Sequence, residues 1–343
     1  MMMPKRIRQA LPVALLTGGL AAEAAAQEPV PPHQTFTMES AVLGETRRIN
    51  VYTPPGYETG WAKHPVLYMP DGGVQEDFPH IASTVDAGIR AGELRRMIVV
   101  GIENTERRRD MTGPTEVAED RAIAPRVGGS AAFRRFIAEE LMPEVRRRYR
   151  VTGEAAIIGE SLAGLFIVET FFLQPDLFDT YIALSPSLWW NGEALVRGAD
   201  ARLKDPESLG TGLAPTVLYL SSADEENIAA PAARLAEVLR ANASPRLLWQ
   251  YRPRPELTHA TIYRAEAPRV LRDLFPPPLS ISSVTSPPEQ IDRDDTTGIT
   301  PLREGVEAAR EPAGAFTVIR EEYTNPQPSM HSLDRWTKIH LSF

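Results

Sequence analysis

The chain contains no cysteine and six histidines. Past its first residues it also has no apolar run long enough to cross a bilayer. Without cysteine, disulfides, thiol nucleophiles and thiolate-held metals are excluded, so stability must come from a packed core. Basic charge is in deficit: 37 Lys and Arg stand against 45 Asp and Glu, a net charge of −8. A nucleic-acid partner usually demands a basic excess or stripe. The basic clusters "ERRRD" and "VRRRYR" have acidic neighbours and read as solvated surface.

What remains is globular. Hydrophobic residues make up 43% and charged residues 24% of 343, enough for one large domain with extras or two ordinary ones, with a substantial core. The N-terminus has Lys5, Arg6 and Arg8, an apolar run from Ala10 to Ala22, and then Ala24, Ala25 and Ala26. Charged start, apolar centre and small-residue end are the layout of a secretory signal, with cleavage expected after Ala26. The run falls short of the roughly 20 residues that span a bilayer, so the mature protein is expected to be periplasmic or secreted, without stable membrane insertion. Residues 27–45 read as an N-terminal extension, 46–276 as the main domain, and 277–343 as a Pro/Ser/Asp-rich linker and poorly ordered tail.

Within 46–276, short β-rich runs alternate with longer amphipathic ones. "RRINVYTP", "HPVLYMPDG", "RMIVVGIE", "AAIIG", "DTYIALSP", "PTVLYLSSA" and "PRLLWQYRP" read as strands. "SAAFRRFIAEELMPEVRRRYR" sets Phe133, Phe136, Ile137, Leu141 and Val145 on one helical face. "LAGLFIVETFFLQP", "APAARLAEVLRAN" and "ATIYRAEAPRVLRDLF" are further helices. The alternation implies an α/β fold with a mostly parallel sheet flanked by helices, and reactive groups gather at the carboxyl ends of such strands.

Ser161 lies at one of those ends, in "IIGESLAGLF". The stretch resembles the G-x-S-x-G nucleophile elbow, except that Ala163 occupies the fifth position and the glycine comes one place late, at Gly164. A serine hydroxyl needs a base. Of the histidines, His259 follows the last strand and opens the last helix, which fits the chain order serine, acid, histidine of α/β-hydrolases. The acid is expected after "PTVLYLSS", where Asp224, Glu225 and Glu226 are all available and Glu225 is preferred. For the oxyanion hole, the amide of Leu162 follows the nucleophile, and Gly72 of "MPDGG", with Gly73 beside it, offers a second N–H.

Several stretches, taken in order, give the chain a resemblance to the bacterial putative-esterase family of α/β-hydrolases, which includes periplasmic siderophore esterases and is related to esterase D. They are "VLYMPDGG", "MIVVGIENTERRRDMTGP", "GGSAAFRRFIAEELMPEVRRRYR", "IIGESLAGLF", "PDLFDTYIALSPSLWW" and "LTHATIY". The resemblance covers about Thr46 to Phe275. It implies a three-layer α/β-hydrolase that cleaves carboxylic esters, siderophore or aryl esters among them, through an acyl-enzyme and without cofactor or metal. Ser161 then matches the nucleophile, His259 the base, and Gly72 and Leu162 the oxyanion turn and amide. Trp189 and Trp190 of "SPSLWW" are expected near the pocket as substrate-binding aromatics. The family usually carries G-H-S-x-G-G at the elbow, so Glu160 stands in place of histidine and Ala163 in place of glycine. Acyl transfer to an alcohol, or silent binding on the same fold, are the competing expectations.

Overall fold

The computed structural model describes residues 29–205 and 215–278. The expected signal segment 1–26 and nearly all of the expected tail lie outside the described residues. One mixed sheet organises the rest, with strands β1 His33–Ser40, β2 Glu45–Tyr52, β3 His64–Met69, β4 Ile98–Ile102, β5 Val151–Glu160, β6 Thr180–Leu184, β7 Thr216–Ser222 and β8 Leu247–Pro253. Their spatial order is β1-β2-β4-β3-β5-β6-β7-β8. The β1–β2 and β2–β4 pairs are antiparallel, and every later pair is parallel.

The helices are α1 Phe78–Ala91, α2 Arg107–Asp110, α3 Ala118–Arg121, α4 Ser130–Phe136, α5 Met142–Arg148, α6 Leu162–Leu173, α7 Trp190–Lys204, α8 Glu226–Asn242 and α9 His259–Leu274. Alternate strand residues feed two cores. Val100 and Ile157 join the cluster under α4 to α8, whereas Val99, Ala156 and Ile158 join the cluster under α1 and α9. The period-2 alternation of a strand thus delivers apolar side chains to both faces. This is the three-layer α/β-hydrolase arrangement that the sequence implies.

Three local differences have physical causes. Residues 33–40, placed ahead of the domain in the sequence reading, form β1 along the whole of β2. The stretch read as one helix is interrupted by a π-turn at Ile137–Leu141 between α4 and α5. Phe133, Ile137, Leu141 and Val145 recur every fourth residue, so on a 3.6-residue helix they would creep around the axis; the wider i→i+5 turn takes up the excess, and all four are fully buried. Finally, α6 is buried on every side save its last residue, and its one charge, Glu169, meets Arg134 at 3.1 Å.

Candidate active site

Ser161 stands between the end of β5 and the first turn of α6, at φ 62° and ψ −120°. Positive φ is uncommon for a residue with a Cβ and marks a held, strained turn. The main chain around it is tied on both sides: Ser161 N–H donates to the Leu184 carbonyl at 3.1 Å, and the Ser161 carbonyl accepts from Leu165 N–H at 2.9 Å and Ser187 N–H at 3.0 Å. The irregular elbow spelling also has a reason. A Cβ on Gly159 would lie 2.6 Å from the Cβ of Ala163, so the missing glycine at 163 is accommodated by the one at 159. The late Gly164 faces Pro186 of the loop after β6, where a Cβ would meet Pro186 Cα at 3.0 Å.

The hydroxyl of Ser161 has His259 Nε2 at 2.9 Å, and Ser187 Oγ at 3.4 Å. His259 opens α9, where Thr258 N–H donates to Thr261 Oγ1 at 3.0 Å and fixes the first turn. Burial holds the His259 imidazole below its ordinary value, Glu225 opposes that, and Arg107 adds to it; the ring is therefore neutral near pH 7 and able to accept a proton.

Glu225 is half-buried, whereas Asp224 and Glu226 are exposed. Its role differs in detail from the sequence expectation. Glu225 Oε1 accepts the main-chain N–H of His259 at 2.7 Å, not the ring N–H, and both Glu225 Oε2 and His259 Nδ1 are buried without a hydrogen-bond partner. Burial pushes the Glu225 carboxyl up, but the amides of His259 and of Glu225 itself, with the imidazole nearby, outweigh this and hold it below the usual range. It is an ionised group beside His259.

Leu162 is the first residue of α6, and the first N–H groups of a helix have no partner within it. Gly72 is a correction. Its N–H donates to the Ile102 carbonyl at 2.9 Å, and a Cβ there would lie 2.2 Å from Ile102 N. The glycine does serve close backbone approach, but to the neighbouring strand rather than to a substrate. Gly73 N–H is likewise taken, by Glu76 Oε2 at 2.7 Å.

The tryptophans divide. Trp190 is buried in the core, with its Nε1–H donated to the Gly113 carbonyl at 2.9 Å. It packs where a ligand-facing ring was expected, and Trp189 is left as the half-buried member of the pair, its ring centroid 6.0 Å away. Arg107, by sequence either a surface arginine or a receiver of an anionic substrate, lies in the site's surroundings: it clamps Asp71 through Nε at 2.6 Å and Nη2 at 2.8 Å. Asn104 Nδ2 adds a third bond to Asp71, which itself has φ 55°. A surface cleft of about 600 Å³ opens beside Arg107, between Arg108, Arg109 and Arg126.

One group had no assigned role in the sequence. Glu160 Oε1 lies 3.4 Å from His259 Nε2, buried and without a hydrogen bond. Burial first, then Asp77, Asp71 and Glu225, push this carboxyl up to about 8, against the pull of Arg107. Among the described residues no group of His, Asp and Glu is arranged to hold a metal ion.

A family model described as Putative esterase matches residues 40–257. The chain belongs to this family. Its match to the ferri-bacillibactin esterase BesA of Bacillus subtilis is 33% identical over 159 residues, 40% of this chain and 53% of BesA. The siderophore triacetylfusarinine C esterase of Aspergillus fumigatus is 31% identical over 191 residues, 50% of this chain and 62% of that protein. The matches thus span little more than half the length of these two relatives. In structure, the chain is similar to an IroE-like serine hydrolase from Shewanella oneidensis, with a TM-score of 0.65 and 26% identity over 71% of this chain and 80% of that one.

Proposed function

We propose that the protein is a serine-dependent carboxylic ester hydrolase acting on small-molecule esters. The observation that carries this reading is the 2.9 Å contact between Ser161 Oγ and the neutral His259 Nε2 on a strained strand-to-helix turn. Family membership and the siderophore esterases among its relatives support the ester as substrate. Ser161 Oγ attacks the ester carbonyl as His259 Nε2 takes its proton. Leu162 N–H, at the positive end of α6, faces the charge that develops on the carbonyl oxygen. Collapse of this intermediate expels the alcohol, which receives the proton from the imidazolium. Water deprotonated by His259 then attacks the acyl-enzyme, releases the acid and restores Ser161.

In this reading Glu225 orients His259 by holding its main chain and stabilises the imidazolium by charge. Trp189 is the aromatic contact for an aryl or acyl group. With the export signal read over residues 1–26, the enzyme works in the periplasm or outside the cell. N-terminal sequencing of secreted material is expected to begin at Gln27.

A fluorophosphonate probe tests the central step. Labelling of the wild type and its loss in Ser161→Ala are expected; no labelling, or labelling that survives the substitution, refutes the nucleophile. His259→Ala is expected to lower kcat by at least about 10³-fold with the fold intact. Ferric siderophores, aryl esters and short acyl esters assayed side by side identify the substrate class.

A further inference from the structure

Glu160 is a largely buried titratable group that the mechanism above leaves unused. It sits directly before the nucleophile and within reach of the atom that carries the proton: Oε1 is 3.4 Å from His259 Nε2, while Ser161 Oγ is 2.9 Å from the same nitrogen. Its side chain is 16% exposed, and Oε1 has no hydrogen bond to stabilise a charge. The neighbours make ionisation worse. Asp71 from the turn after β3, Asp77 before α1 and Glu225 before α8 all bring negative charge to bear on it. From α9 come His259 and the buried Tyr263 hydroxyl, which has no hydrogen-bond partner. From α2 comes one cation, Arg107, and Asp71 already engages it through two hydrogen bonds.

We propose that Glu160 takes part in ester cleavage as a neutral carboxylic acid, a positioning residue that leaves His259 Nε2 free to exchange its proton with Ser161 and the departing alcohol. The proposal rests on the serine hydrolase reading and adds a condition to it. Once Glu160 has lost its proton to solvent, a carboxylate stands against the reacting atoms. It repels the oxyanion growing on the carbonyl, and it accepts the Nε2–H of the imidazolium that must be passed to the leaving oxygen. Both effects slow acylation, outweighing the stabilisation that the carboxylate's charge lends the imidazolium. Glu160, rather than His259, therefore sets the alkaline limit of the enzyme, while His259 sets the acid limit.

The test is the rate of fluorophosphonate labelling of Ser161 from pH 5 to 10, each profile normalised to its own value at pH 7. The wild type is expected to break near pH 8 and fall by about tenfold per pH unit above it. Glu160→Gln, neutral at every pH, is expected to show no such fall. A wild-type profile that stays flat to pH 10, or a Gln variant that falls in the same way, overturns the proposal. Complete absence of labelling at all pH values instead refutes the serine nucleophile itself. Difference infrared spectra of wild type against Glu160→Gln give a readout independent of activity. The carbonyl stretch of an un-ionised carboxyl is expected at pH 6 and its loss by pH 9; a carboxylate band at both pH values overturns the assignment.

Discussion

Ser161 holds its backbone at φ 62° and ψ −120°, a region that a side chain enters at a cost of order 1–3 kcal/mol. That strain is separable from its chemistry. Ser161→Gly removes the Cβ and Ser161→Ala keeps it, so the glycine variant should be the more stable by about 1 kcal/mol in denaturant titration, with labelling lost in both. At the same scale, Trp190→Phe strips the Gly113 carbonyl of its donor and should cost about 1–3 kcal/mol, chiefly for the carbonyl left unpaired. How far single residues were legible follows from what decides them. The proximity of Ser161 and His259 could be read because chain order and strand placement constrain it. Gly72 could not, since a glycine needed for close approach looks the same whether its neighbour is a ligand or, as here, the backbone of Ile102. Nor could sequence say which atom of His259 Glu225 would reach, because main-chain and ring N–H groups of one residue differ only in three dimensions.

The glycines that join elements differ in what they tolerate. Gly72→Ala would place a Cβ 2.2 Å from Ile102 N and 2.3 Å from Gly101, both backbone, and should cost about 4 kcal/mol or more by prising β3 from β4. Gly44, in the β1–β2 turn at φ +68° with open space around it, should cost only about 1 kcal/mol as alanine. Thermal melts of the two variants make the comparison. At the end of β5, Glu160 links stability to pH. Its folded pKa, about 8, is raised above the ordinary 4.5, so the folded state binds the extra proton between those values and stability falls as pH rises through that window. Glu160→Gln should therefore gain in Tm over the wild type as pH is raised from 5 to 8. Elements with a strong period were legible in the sequence. β1 was not, because it is an edge strand whose side chains are mostly exposed or half-buried, leaving little alternation to detect. The π-turn escaped as well, since the apolar spacing that requires it still reads as helical.

For the molecule as a whole, both core clusters and every strand of the described sheet fall within residues 29–278, so a chain cut to that span should keep this core, with the far-UV circular dichroism of a folded α/β domain. Acid should loosen it through Glu45. The Arg109 hydrogen bond, opposed by burial and helped by Thr105 and Arg47, brings this carboxyl down to about 2. Its contribution is complete above the ordinary value of 4.5 and drains away as pH falls through about 2. Circular dichroism from pH 6 to 2 should show Glu45→Gln losing less stability than the wild type over this range.

The hydrogen bonds that clamp Ser161 to Leu184 and Ser187 define what could be transplanted. The ten residues from Ile157 to Phe166 do not form a self-sufficient elbow: their strained turn is held open by a different strand and by the loop that leaves it, with Pro186 filling the space that Gly164 vacates. A graft of this serine turn onto another sheet would have to bring β5, α6, β6 and the stretch through Ser187 as one piece. An insertion in the loop after β6 should disable the serine from a distance, without touching it in sequence.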